Sequence, residues 1–176
     1  MIPKSLQTLA LAACLAVLAA SGTSAGPTKP DALAAFALLK TLEGSWTAPA
    51  ATGRQSTVRF ELSANGTVLV EHYANPALPG GGRMMSAYHL DGQDLLLTHY
   101  CIAGNHPTLR AERFDAATRE LQFEFLRATN LTTPDAGHMR RAKYRVTDPD
   151  NFVTEWEFFN KGVKTMTEVE SFTRVK

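Results

Sequence analysis

The stretch Arg83-Met-Met-Ser-Ala-Tyr-His-Leu-Asp-Gly-Gln-Asp-Leu-Leu-Leu-Thr-His-Tyr-Cys101 decides the fold class. It contains two runs with strand character, about 83–90 and 93–101, and Asp91-Gly92 separates them. An Asp-Gly pair between two such runs is among the strongest short signals for an antiparallel hairpin, because both residues tolerate the positive φ angles of a tight turn. If these two residues form the loop, Leu90 pairs with Gln93 and Met84 lies near His99.

Similar turn signals continue from Gly44 to the C-terminus, and helical periodicity is absent there. Asn65-Gly66, Asp148-Pro-Asp-Asn151 and Lys161-Gly162 mark further turns. Short antiparallel strands without helical crossovers predict an all-β fold, an up-and-down barrel or meander of about ten strands. The longer connections, 75–82 and 130–137, are expected at the barrel mouth. The predicted strands are about 44–49, 55–63, 67–74, 83–90, 93–101, 108–115, 120–129, 138–147, 152–160 and 163–175.

Residues 1–25 have the layout of a secretory signal peptide. The cation Lys4 precedes an apolar run at 9–20, and small residues end at Ala25. The run is too short to span a membrane, so we expect no transmembrane segment in the mature chain. Cleavage after Ala25 predicts a periplasmic or secreted protein. The alternative is lipidation at Cys14, because Leu11-Ala-Ala-Cys14 resembles the lipobox of bacterial lipoproteins.

Cleavage at this point would leave a mature chain without net charge. The full chain has 18 lysines and arginines against 17 acidic residues, and loss of Lys4 leaves 17 of each. Binding to nucleic acid is not expected of such a chain. Loss of Cys14 leaves Cys101 alone, so an intramolecular disulfide is excluded, and we expect a buried, inert thiol. The sequence carries no signal for an oligomeric state.

A linker and a short helix precede the strands. Residues 26–30 contain two prolines and a glycine, as a linker does, and the predicted barrel domain spans 31–176. Asp31 is suited to cap a helix over about 32–42. Leu33, Phe36 and Ala37 follow helical spacing, so we expect them on its apolar face.

Three sequence motifs carry a resemblance to a known group of proteins. The short helix, Leu42-Glu-Gly-Ser-Trp46 and about ten strands are similar to the calycins, which include lipocalins and fatty-acid-binding proteins. Tyr88-His-Leu-Asp-Gly92 with Leu97-Thr-His-Tyr-Cys-Ile-Ala-Gly-Asn105 resembles a bacterial, usually exported lipocalin-like family of unknown function. The resemblance covers roughly residue 38 to the C-terminus. It implies a barrel with Trp46 packed beneath the strand bases at its closed end.

The interior of this barrel is the predicted ligand site. Alternation places aromatic side chains of the seventh and ninth strands on inner faces, and it places His99 and Cys101 on one face of the fifth. Arg140 and Tyr144 offer a substitute for the arginine and tyrosine that clamp a carboxylate in fatty-acid-binding proteins. The predicted contacts of a small, largely apolar ligand are His99, Cys101, Phe123, Arg140, Tyr144, Trp156 and Phe158.

Other functions stay open at this point. A core filled by aromatic side chains would favour a structural or partner-binding barrel. His99 and Cys101 are suitable ligands for zinc or copper, and Met166 is the substitute for the C-terminal histidine that holds haem in nitrobindin-like proteins. A Cys101-dependent enzyme is disfavoured, because side chains at i and i+2 of a strand are about 6 to 7 Å apart. No cofactor is predicted.

Overall fold

The computed structural model describes residues 30–49 and 55–176. The predicted signal peptide, Cys14 and nearly all of the predicted linker lie outside the described residues. The described part consists of one short helix, two 3₁₀ turns and ten strands that form a single closed sheet. The predicted all-β class is confirmed.

Helix α1 spans Ala32–Lys40 and packs against the barrel. The Asp31 carboxylate accepts a hydrogen bond of 3.0 Å from the backbone N–H of Ala34, which caps the helix as predicted. The prediction that Leu33 and Ala37 lie on the buried face is wrong, because both are exposed, Leu33 to 73%, and only Phe36 of the three is buried. No helix in the described ranges is long and apolar enough to cross a membrane. The buried residues of α1 are Ala32, Ala35, Phe36 and Leu39.

All ten predicted strands are present, and their bounds differ from the predicted ones by at most two residues. The agreement follows from local turn chemistry, which fixes where each strand stops. The strands are β1 (Gly44–Ala48), β2 (Ser56–Ser63), β3 (Val68–Ala74), β4 (Met84–Asp91), β5 (Asp94–Tyr100), β6 (His106–Asp115), β7 (Glu120–Thr129), β8 (His138–Asp148), β9 (Asn151–Asn160) and β10 (Val163–Arg174).

The strands form an up-and-down barrel, as predicted. Each strand pairs antiparallel with the next, and β1 closes the barrel by pairing with both β2 and β10. The β2–β3, β4–β5, β6–β7 and β8–β9 turns lie at the end next to α1, which we call the lower end. The longer connections, 75–83 and 130–137, lie together at the opposite, upper end. They flank the barrel mouth.

The register of the β4–β5 hairpin differs from the predicted one. Asp91 pairs with Asp94, so the loop is Gly92-Gln93, and Gly92 takes a positive φ of 58°. The prediction that Met84 lies opposite His99 is therefore wrong. Ser86 takes that place, which brings a hydroxyl rather than a thioether to the imidazole.

Aromatic packing fills the lower end of the barrel. Trp46 is 1% exposed, and its indole N–H donates a hydrogen bond of 2.7 Å to the carbonyl oxygen of Leu42. The rings of Trp46 and Phe152 are perpendicular with centroids 4.8 Å apart, and the Arg174 guanidinium lies 4.0 Å from the Trp46 ring centre. Trp46 thus packs beneath the strand bases as expected, and the aromatic layer fills the barrel interior at this end.

Candidate functional site

Polar side chains replace apolar ones on the inner face of the barrel above the Trp46 layer. Strand register aligns Glu71 of β3, Ser86 of β4 and His99 of β5, and all three are buried. Buried polar groups are costly without hydrogen-bond partners, so each position needs an explanation. The facing strands β8, β9 and β10 align three more polar residues: Tyr144, Thr154 and Glu170.

Glu71 is the centre of a buried hydrogen-bond network. The hydroxyls of Tyr88 and Tyr144 both donate to its Oε2, the latter at 3.0 Å. Burial raises the pKa of Glu71 from 4.5 to about 7, although hydrogen bonds from Tyr88, Tyr144 and Ser86 oppose the increase. Near neutral pH this carboxyl group therefore exists in both protonation states inside the barrel.

His99 extends the network to the other side of Ser86. Its Nδ1 lies 3.1 Å from the Ser86 hydroxyl oxygen, and its ring packs 4.8 Å from that of Trp156. Burial lowers the pKa of His99 from 6.5 to about 4, so the imidazole is neutral at pH 7. Its buried Nε2 has no hydrogen-bond partner among the described residues.

These groups border a cavity of about 20 Å³ in the upper half of the barrel. A volume of this size admits a group about as large as one water molecule. His99, Thr154 and Trp156 form part of its wall, and Met84 and Met139 add apolar surface. The cavity thus combines a few convergent polar groups with apolar walls, as small-molecule sites do, but it is too small to hold a whole fatty acid.

Two carboxylates of β10 complete the wall. Glu168 and Glu170 line the cavity beside Glu71, and the Tyr73 hydroxyl donates to Glu168 at 3.5 Å. Burial and the charge of Glu170 raise the pKa of Glu168. Within 30–49 and 55–176, none of the ion pairs involves any of these three glutamates. The cavity wall therefore contains three carboxyl groups without a cationic side chain paired to them.

Four of the residues predicted as ligand contacts lie in or next to this region. His99 and Trp156 line the cavity. Tyr144 contributes its hydroxyl to the network beneath the cavity. Phe123 is fully buried, and its ring packs 6.1 Å from Tyr88 and 6.3 Å from Tyr144. Phe123 thus supports the network and does not line the cavity.

Arg140 lies away from the cavity. Its guanidinium stacks on the rings of Phe125 and Phe159, at 4.9 Å and 5.5 Å. The prediction that Arg140 and Tyr144 share one face is wrong, because the register of β8 shifts between Met139 and Arg141 and interrupts the alternation. No arginine–tyrosine clamp forms at this position.

Cys101 and Phe158 also lie outside the cavity wall. Cys101 follows the end of β5 in the β5–β6 turn, where its backbone N–H donates to the Asn105 carbonyl, so the prediction that it lies in the strand beside His99 is wrong. It is half-buried rather than buried, and burial raises the pKa of its thiol. Phe158 is half-buried and packs against the backbone of Gly137 at the upper end.

Sequence reasoning missed Glu71, Glu168 and Glu170, although a polar residue on an inner face is a signal in itself. Valines next to these acids made the signal hard to recognise, because they offer a second apolar face in each strand. In β3 and β10 the apolar Val70 and Val169 alternate with these acids and are the more obvious core candidates. The structure places Glu71 inside on the same face of β3 as the buried Leu69, and it leaves Val169 60% exposed while Phe172 is buried on the face of Glu168 and Glu170.

The comparisons with known proteins do not assign a family. No protein-family model matches the chain, and no curated protein matches it. The part of the chain that the structure describes contains no group of three or more His, Cys, Asp or Glu residues that could hold a metal ion. Met166, the substitute haem ligand considered above, is 44% exposed on β10 and does not line the cavity.

Proposed function

We propose that this chain is an exported lipocalin-like barrel that binds a small ligand in its upper cavity. The observation that carries the proposal is the buried chain of polar groups that runs from Tyr88 and Tyr144 through Glu71 and Ser86 to His99. Buried ionisable groups are costly, and apolar side chains of similar volume often stabilise a purely structural core better. A binding site that recognises a polar group of a ligand explains why these costly side chains are present inside the barrel.

The cavity dimensions define the kind of ligand. Only a group of about water size fits into the 20 Å³ beside His99. The rest of the ligand lies towards the mouth, where Met84, Met139 and Trp156 provide apolar contacts. The ligand is therefore a small molecule with a compact polar group on a largely apolar body.

A structural or partner-binding barrel is the second candidate. The filled lower half favours it, because aromatic residues such as Trp46 and Phe152 leave no room for a ligand there. Val163 and Val169 of β10, which are 63% and 60% exposed, are apolar surface that a partner could cover. The experiment below separates the two candidates.

Native mass spectrometry of the protein purified from its own cells tests the proposal. The chain has two tryptophans, and only Trp156 lines the cavity, so Trp156→Phe and Trp46→Phe are a matched pair. We expect a co-purifying small-molecule mass that Trp46→Phe retains and Trp156→Phe loses, while thermal unfolding shows both variants folded. An unliganded native protein, or equal loss of the mass from both variants, contradicts the proposal.

A further inference from the structure

The polar atoms of the cavity wall are predominantly hydrogen-bond acceptors. Glu71, Glu168 and Glu170 contribute carboxylate oxygens, and the Tyr73 hydroxyl already donates to Glu168. In the described ranges none of these carboxylates is neutralised by a lysine or arginine ion pair. A ligand group with a negative charge would be repelled here, whereas a positive donor would be attracted.

The buried imidazole provides a second, independent indication. His99 is 5% exposed, and its Nε2 lacks a hydrogen-bond partner within the described residues although the ring lines the cavity. The Nδ1 atom of His99 lies 3.1 Å from the Ser86 hydroxyl oxygen, and we take the tautomer in which Nδ1–H donates to this oxygen. The proton of the neutral imidazole is then on Nδ1, and Nε2 presents a lone pair. His99 therefore needs a donor from a ligand.

The shape of the cavity suits a compact cation. An ammonium group is about the size of a water molecule and carries three donors, which fits a cavity of about 20 Å³ lined by acceptors. The indole of Trp156 borders the same space and can interact with a cation through its ring face. Met84 and Met139 line the cavity from the upper-end starts of β4 and β8 and offer apolar contacts to an alkyl chain.

We propose that the cavity binds the ammonium group of a small primary amine, with Glu168 and Glu170 supplying the charge complement and His99 Nε2 accepting one N–H. The inference rests on the proposed function, since it names the chemical class of the ligand in the same site. A free amine is favoured over a lysine side chain of a protein, because inner-face residues of the barrel line the cavity and a lysine would have to bring its main chain to the barrel mouth.

Calorimetric titration with three six-carbon probes tests the inference: hexylamine, 1-hexanol and hexanoate at pH 8, where the amine is protonated. We expect hexylammonium to bind at least about tenfold more tightly than hexanol, and hexanoate to bind weakest. The double variant Glu168→Gln/Glu170→Gln should lose this preference. The control Glu155→Gln changes an outward glutamate of β9 that pairs with Lys143, and it should keep the preference.

Several results would overturn the inference. One is equal binding of hexanol or hexanoate, and another is an unchanged preference in a folded double variant. Tighter binding of Nα-acetyl-lysine amide than of hexylammonium would assign the site to a protein lysine instead. If no probe binds but a small-molecule mass co-purifies with the protein, only the amine assignment fails. If no probe binds and no mass is found, the proposed function fails with it.

Discussion

Glu71 and His99 should make opposite contributions to the pH dependence of folding, and single substitutions should reveal them. The pKa of Glu71 rises from 4.5 to about 7 on folding, and that of His99 falls from 6.5 to about 4. Each difference, about 2.5 on the pH scale, corresponds to about 3 kcal/mol of unfolding free energy. The two contributions are similar in size, so they largely cancel in the native chain.

The signs follow from which state holds the proton. Between pH 4.5 and 7, Glu71 stays protonated in the folded barrel and ionises in the unfolded chain, so its contribution to stability is lost as pH rises. Between pH 6.5 and 4, His99 is protonated only in the unfolded chain, so its contribution is lost as pH falls. Carboxyl groups distant from the substituted residue titrate alike in the native protein and its variants. Their contributions to the unfolding free energy therefore cancel when a variant is compared with the native protein.

Urea unfolding of the native protein and Glu71→Gln at pH 4.5, 5.5, 6.5 and 7.5 measures the effect. Relative to the native chain, Glu71→Gln should gain about 3 kcal/mol across this range, a shift of roughly 1.5 M in the urea midpoint for a slope of about 2 kcal/mol/M. Relative to the native chain, His99→Gln should gain unfolding free energy as pH falls, and the outward-facing control Glu155→Gln should follow the native curve. Parallel curves for the native protein and Glu71→Gln would refute the burial of an ionisable Glu71.

Four further expectations concern the rest of the chain. Phe123→Ala removes a fully buried ring and should cost about 3 to 5 kcal/mol in urea unfolding; a cost below about 1 kcal/mol would show that the ring is not needed as packing. Asp31→Ala removes the helix cap and should cost about 1 kcal/mol, and an unchanged midpoint would contradict the capping role. Cys101 should react with a thiol reagent at least about tenfold more slowly in the folded protein than in urea, because it is half-buried with a raised thiol pKa, and equal rates would contradict this. Mass spectrometry of the protein purified from its own cells should find its N-terminus at Gly26, whereas a diacylated Cys14 would assign it to a membrane surface.

The strands could be predicted from the sequence because their limits depend on local chemistry. Gly92 and Gly162 adopt positive φ angles in turns between strands, and turn residues of this kind can be recognised without knowledge of the rest of the fold. The predicted and observed limits of β7, residues 120–129, are identical. Pairing register was harder to predict. The two-residue β4–β5 loop lies one residue further along the chain than expected, which changes the partner of His99 from Met84 to Ser86.

The site was only partly predictable because it depends on which face of each strand points inwards. His99 and Trp156 were found from aromatic and polar residues on otherwise apolar faces. Glu71 and Glu170 were not, because both faces of β3 and β10 carry apolar residues, Val70 and Val169 on one and Leu69 and Phe172 on the other, so hydrophobicity does not distinguish them. The irregularity in β8 that moves Arg140 away from Tyr144 leaves no clear mark in the sequence. The inward face of each strand and the position of the irregularity in β8 are set by contacts across the barrel.

A crystal structure of the protein purified from its own cells, without added ligand, tests the central claim most directly. The account predicts electron density for a small molecule in the cavity, with a donor atom within about 3 Å of His99 Nε2 and an apolar body against Trp156. A cavity that contains only water, with Nε2 bonded to that water, would contradict it and leave the barrel as a structural or partner-binding protein.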